Sequence, residues 1–160
     1  VLVCAVGAGW RSELTALDRA AGGHLATEFA RQGFQGGSGE TATFQRHGSL
    51  APHHVIAVGI GDGAGAKPWY AVAQATVGRC SDLKAAHAAI FVAPSCDGAA
   101  AVELLAEALP LCDYRYTRFK SKDSPKVRLA TVKLAAAGTA RSLRDAVDRG
   151  AAVGRATCYA

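Results

Sequence analysis

Residues 56–67 read IAVGIGDGAGAK. An apolar run ends in Gly59, Ile60 and Gly61, and Asp62, Gly63 and Ala64 follow. Taken literally this is G-x-G-x-x-A behind a strand and ahead of a helix, the outline of a dinucleotide-binding fingerprint. That fingerprint needs more than glycines. It occupies the first βα turn and requires an acid about 20 residues on, at the end of the next strand. Here the glycines follow the second long apolar run. The next run, AIFVAP, ends in Pro94 and Ser95 without an acid, and Asp82 stands at the right count but inside a predicted helix. The plainer reading is a glycine turn that carries a buried strand into a helix. That βα step sets the fold class.

Working outward, the same step recurs. Residues 1–8, VLVCAVGA, form a continuous apolar run of strand length. Ser12 stands one residue before Glu13 as a candidate N-cap. Leu14, Leu17, Ala20, Ala21, Leu25 and Phe29 then keep helical spacing, with Gly22 and Gly23 placed to bend or split the helix. GFQGGSGE at 33–40 is a loop by composition, and the alternating TATFQRHG at 41–48 predicts a short exposed strand or hairpin arm. HVIAVGIG at 54–61 is a second buried strand. Residues 69–86 are predicted as a helix, with Pro68 near its first turn. AAIFVAP is a third buried strand, stopped by Pro94. Residues 99–109 form a helix with Val102, Leu105, Ala106 and Leu109 on one face. VRLATVKLAA at 127–136 alternates as a strand with at least one buried face. Residues 139–160 form a last helix. Leu143, Ala146, Val147, Gly150, Val153, Gly154 and Thr157 share one face, and Arg141, Arg144, Asp145, Asp148 and Arg149 lie mostly on the other. Helices alternating with buried strands imply an α/β fold, a mixed and mostly parallel sheet with helices on both faces.

Composition bounds the rest. The chain has 160 residues, 50% of them hydrophobic and 19% charged, which suits one folded domain. No segment approaches the roughly 20 apolar residues of a membrane span, so no membrane partner is expected. The start lacks the basic flank of a signal peptide. The absence of methionine, and a last helix with no stop signal, lead to the expectation of a piece of a longer polypeptide. Cysteines stand at 4, 80, 96, 112 and 158 with no C-x-x-C spacing, which fits reduced cytosolic thiols better than disulfides or a zinc site. His53 and His54 are adjacent, and neighbours in an extended segment point to opposite faces, so they predict a solvated strand start rather than a metal site.

The net charge of +5 is local. Arg115, Arg118, Lys120, Lys122, Lys126, Arg128 and Lys133 oppose only Asp113 and Asp123 between residues 113 and 133, and the rest of the chain balances. This segment suits an acidic partner or nucleic acid, or is a solvated loop leading into a strand. In APSCDG, Cys96 lies between a strand and a helix, where a nucleophile can sit. It lacks the G-x-S-x-G frame, and no histidine is anchored to it. Capping of the helix by Asp97 or Ser95 explains these residues more simply. The residues alone therefore show no catalytic apparatus.

Two further stretches carry a resemblance. AEALPLCDYRYTRFKSK at 106–122 and TARSLRDAVDRGAAVGRATCYA at 139–160, with the VIAVGIG strand, resemble the N-terminal domain of the leucine aminopeptidase (cytosol aminopeptidase) family. In that family an AEGL-like run leads into an aromatic-basic Y-x-F-x-x-Y-K-S segment. Glu107, Leu109, Tyr114, Tyr116, Phe119, Lys120 and Ser121 occupy the corresponding places, with Ala108 for the usual glycine and Phe119 for the second tyrosine. The resemblance implies a macro-domain-like fold and a single N-terminal accessory domain over residues 1–160. It implies a cytoplasmic parent metallopeptidase, a hydrolase that releases N-terminal residues from peptides with two divalent metal ions, zinc or manganese. The metal ligands, catalytic lysine and activating arginine of the family belong to a C-terminal catalytic domain outside this chain. The N-T-D-A-E-G-R-L signature is absent, so no catalytic, cofactor-binding or metal residue carries over, and the chain alone is expected to be inactive. Partners implied are the catalytic domain and a homo-hexamer. Two alternatives accompany this reading: a macro-like nucleotide or ADP-ribose module at the 59–65 glycines, and a DNA-binding accessory domain through the 115–133 basic segment, as in some bacterial members.

Overall fold

The computed structural model describes residues 1–45, 52–114 and 129–159. Five strands form one sheet: β1 (Leu2–Val6), β2 (Thr41–Gln45), β3 (His54–Gly59), β4 (His87–Val92) and β5 (Thr131–Ala135). Their order across the sheet is β2-β3-β1-β4-β5. β3, β1, β4 and β5 run parallel, and β2 pairs antiparallel with β3 at one edge. The apolar runs at the start of the chain and at 54–61 become β1, at the centre of the sheet, and β3 beside it, strands covered on both faces.

Alternate residues divide between two cores. Val3, Ala5, Ile56, Val58, Ile90 and Val92 face α4 (Lys67–Asp82) and α5 (Gly98–Asp113), where Trp69, Val72, Ala101 and Leu105 meet them. Cys4, Val6, Val55 and Ala57 face the other way, against α1 (Trp10–Glu13), α2 (Thr15–Ala20) and α3 (Leu25–Arg31). Edge-on packing of Trp10 against Phe29 and Phe34, at centroid separations of 5.9 and 5.6 Å, joins α1 to α3 on that face. Helices therefore lie on both faces, as the element order predicts.

The helix boundaries bring corrections. Ser12 is not an N-cap. α1 begins at Trp10, pulled forward because that indole is buried, and the Ser12 hydroxyl donates to the Gly9 carbonyl at 2.8 Å. The Gly22-Gly23 pair does split the helix, with φ of 84° and 78° ending α2. Ala20 keeps the spacing but stays exposed. α4 stops at Asp82 rather than continuing to 86. Lys84 adopts φ 52°, and the Ala85 amide donates back to the Cys80 carbonyl at 2.8 Å, a Schellman closure that turns the chain into β4. α5 begins behind Asp97, whose side chain accepts from the amides of Ala99 and Ala100, and runs one turn past Pro110.

α6 (Ala140–Tyr159) is capped by the Thr139 hydroxyl, which accepts from the Ser142 amide at 3.2 Å. It packs along α5 rather than on the sheet. Its contact line is Ala146, Gly150 and Gly154, and a methyl group on either glycine would strike a backbone carbonyl, that of Glu103 or Glu107. Arg149 closes the same seam with two bonds to Glu103 at 3.0 and 2.7 Å. Val153 and Thr157, expected on this face, are exposed because the seam follows an i, i+4 line that leaves them beside it. In β5, Val132 and Leu134 are partly buried towards α5, and Thr131, Lys133 and Ala135 are exposed. No helix of the described residues is long and apolar enough to cross a membrane.

Candidate functional site

In parallel α/β sheets ligands bind beyond the carboxyl ends of the strands. Here that edge holds the turn after β1 (Gly7 to Gly9), the glycine loop after β3 (Ile60 to Gly65) and the turn after β4 (Ala93 to Asp97). The glycine loop is not an open cradle. The 36–40 segment crosses directly over it. The Gly61 amide donates to the Gly36 carbonyl at 2.9 Å, and the Gly59 amide to the Glu40 carbonyl at 2.8 Å. The Gly63 amide donates to the Ile60 carbonyl and the Ala64 amide to the Asp62 carboxylate. A methyl group on Gly59 would enter the Gly37 carbonyl, and one on Gly36 the Gly7 carbonyl. The glycines are where two stretches of backbone touch. The amides of Gly59, Ile60, Gly61, Gly63 and Ala64, which a phosphate cradle would draw on, are already bonded within the chain.

Beside that crossing lies a cleft of about 380 Å³ lined by Asp62, Gly63, Trp69, Ser95, Cys96 and Asp97. The Trp69 indole donates to the Gly63 carbonyl at 3.3 Å and forms its floor. The Ser95 hydroxyl donates to Glu13 of α1, a contact between residues 82 positions apart that nothing in the sequence announces. The second oxygen of Glu13 is buried with no hydrogen-bond partner among the described residues.

Cys96 is poorly placed to attack anything. Burial pushes its thiol up; the bond from Ser95 opposes this in part, and the Glu13 charge adds a smaller upward push. Cys80 and Cys112 are also raised by burial, and Cys4, inside β1, is pushed up to about 12. All five cysteines are free thiols. Among the described residues, no histidine assists them. His54 and His87 open β3 and β4, at the amino edge of the sheet, and His24 precedes α3. His53 and His54 stand at that strand start as expected, His53 exposed and His54 half-buried.

The glutamates are engaged structurally. Besides Glu13, Glu28 pairs with Arg31 at 2.7 Å and Glu103 with Arg149. Glu40 accepts from the Gln35 and Gly37 amides, and Glu107 accepts from the Tyr70 hydroxyl at 2.7 Å. Every glutamate of the chain thus serves a bond inside the fold. Among the described residues no three His, Cys, Asp or Glu side chains stand together to hold a metal ion. Of the basic segment, residues 115–128 lie outside the described residues, and Lys133 stands on the exposed face of β5. The aromatic-basic stretch overlaps it: Tyr114 is half exposed at the end of α5, and Tyr116, Phe119, Lys120 and Ser121 lie outside the described residues.

A family model described as "Cytosol aminopeptidase family, N-terminal domain" matches residues 2–123. The chain belongs to the cytosol aminopeptidase family, as its N-terminal domain. A comparison with curated proteins gives no match. Among solved structures, a mutant of tomato leucine aminopeptidase superposes with a TM-score of 0.78 over 99% of this chain and 33% of that one, at 18% identity. The bottromycin maturation enzyme BotP superposes with a TM-score of 0.64 at 26% identity, over 98% of this chain and 31% of that one. Its complex with Mn gives a TM-score of 0.63 at 24% identity, over 98% and 30%. The chain spans about a third of the length of these relatives. Metal ions belong to the chemistry the family implies, and the described residues, whose glutamates bond within the fold and whose His, Cys, Asp and Glu side chains nowhere gather in threes, do not fit them.

Proposed function

We propose that this chain is a non-catalytic accessory domain of a cytoplasmic leucyl aminopeptidase. In the full-length enzyme a companion catalytic domain would release N-terminal amino acids from peptides by two-metal hydrolysis, within a homo-hexamer. The observation that carries the reading is the match of residues 2–123 to the family's N-terminal domain, together with superposition on only a third of tomato leucine aminopeptidase. The engaged glutamates and the raised Cys96 thiol support it from the chemical side. The test is hydrolysis of leucine p-nitroanilide by the purified chain with added manganese or zinc. No turnover is expected, and metal-dependent turnover would overturn the reading.

A second reading, DNA binding through residues 115–133, is supported by the seven bases gathered there, which with Asp113 and Asp123 account for the chain's net charge of +5. For a nucleotide or ADP-ribose module the geometry offers less, because the amides of Gly59, Ile60, Gly61, Gly63 and Ala64 are bonded internally.

A further inference from the structure

Among the described residues β2 is the last strand on its side of the sheet, so one edge of its backbone faces away from β3. Such an edge is a template for another strand. Natural edges are usually defended by lysine, proline, a bulge or a covering segment. The strand itself, TATFQ, has no charge and no proline and contains two β-branched threonines. The opposite edge strand, β5, carries Lys133 at its centre.

Among the described residues, what meets that edge is a single side chain. Gln32, which ends α3, reaches Thr43, the middle residue of β2. Its Oε1 accepts from the Thr43 amide at 2.9 Å, and its Nε2 donates to the Thr43 carbonyl at 2.7 Å. These are the two bonds a neighbouring strand would exchange with that residue. The amide is locked in this orientation. Its Nε2 also donates to Glu28 Oε1 at 2.7 Å, and Glu28 is held in turn by Arg31 through bonds of 2.9 and 2.7 Å. Both protons of the amide nitrogen are used, so only its oxygen is left to meet the Thr43 amide. Alongside lies a groove of about 580 Å³ that includes Gln32, Thr43, Phe44, Gln45 and His54, space into which further chain fits.

We propose that the Gln32 amide is a guard that closes the β2 edge against strand addition by a second copy of this chain. A second copy is the partner the strand itself favours. Antiparallel pairing of β2 with β2 about Thr43 would let the two Thr43 residues exchange both hydrogen bonds, and uncharged TATFQ meets uncharged TATFQ without repulsion. The edge amides of Thr41 and Gln45 extend the same ladder. With Gln32 in place, the central pair of bonds is already made within the molecule, and a second strand must first displace it.

The test compares sedimentation of this chain with Gln32→Met, which keeps side-chain length and helix propensity but neither hydrogen bond, and with the double variant Gln32→Met/Thr43→Pro. Thermal unfolding checks that each is folded. Gln32→Met is expected to self-associate at least roughly tenfold more tightly than the parent. The double variant should return to parent behaviour, because proline removes the outward amide without touching the bonds to β3. A folded Gln32→Met with unchanged sedimentation overturns the proposal, as does association that persists in the double variant. Should Gln32→Met fail to fold, hydrogen exchange of the parent decides. The Thr43 amide is expected to exchange more slowly than those of Thr41 and Gln45, and equal exchange of the three overturns the proposal.

Discussion

Tyr70 shows how a single residue ties this fold together. It lies on α4, and its hydroxyl donates to Glu107 on α5 at 2.7 Å, partly shielded from water. That bond, with burial and the Glu107 charge, pushes the phenol from 10.0 up to about 12. A raised value means that the folded state holds the proton more tightly than the unfolded one. The contribution to stability is then complete below pH 10 and is lost as pH rises towards 12. Urea midpoints measured across that range should fall more steeply for the parent than for Tyr70→Phe. Parallel curves would show that the bond does not couple α4 to α5. The partners of this bond were half legible in the sequence. Glu107 falls in the family-like AEAL run, but its bond to a residue 37 positions earlier follows only from packing. The Glu13–Ser95 and Gln32–Thr43 pairs were wholly illegible, because a polar residue in a sequence does not reveal which backbone or hydroxyl will be folded onto it.

At the scale of elements, two helical glycines give opposite predictions. Gly150 of α6 lies against α5, where a methyl group would strike the Glu103 carbonyl, and backbone cannot turn aside as a side chain can. Gly78 of α4 faces open space. Alanine in place of either raises helix propensity by about 1 kcal/mol. At Gly78 nothing opposes this, so Gly78→Ala should stabilise the domain by roughly 0.5–1 kcal/mol. At Gly150 overpacking of about 1–3 kcal/mol outweighs the propensity, so Gly150→Ala should be net destabilising. Chemical denaturation of both variants reads the signs, and a stabilised Gly150→Ala would refute the close seam. Period and composition were enough to find these helices and place Gly150 and Gly154 on a shared face. They were not enough to show that the face is a narrow line against another helix. For that reason Val153 and Thr157 were expected on it and lie outside it. The end of α4 was misplaced for a similar reason. Lys84 in a left-handed conformation is a choice made by the chain's need to enter β4, and no local preference of lysine announces it.

For the whole molecule, charge and topology separate. The net charge of +5 is carried by residues 113–133, and an accessory DNA-binding role would rest on it. Replacing Lys120, Lys122 and Lys126 with glutamate reverses the sign of that segment. Duplex DNA binding by the parent should weaken steeply with salt and be lost in the triple variant. Binding that survives the substitutions would reject the segment as the contact. The α/β class and the order of strands and helices were present in the sequence, because buried strands and amphipathic helices write their periods directly into it, and the family was legible separately, through the resemblance carried by residues 106–122 and 139–160. Tertiary structure alone decided what the residues 59–65 are for. As a string, IAVGIGDGAGAK has the glycines of a phosphate cradle. In the fold, Gly36 and Gly37 lie over Gly59 and Gly61, and backbone occupies the space that missing side chains leave open. Glycine spacing specifies close approach without specifying what approaches, and only the path of the chain supplies that.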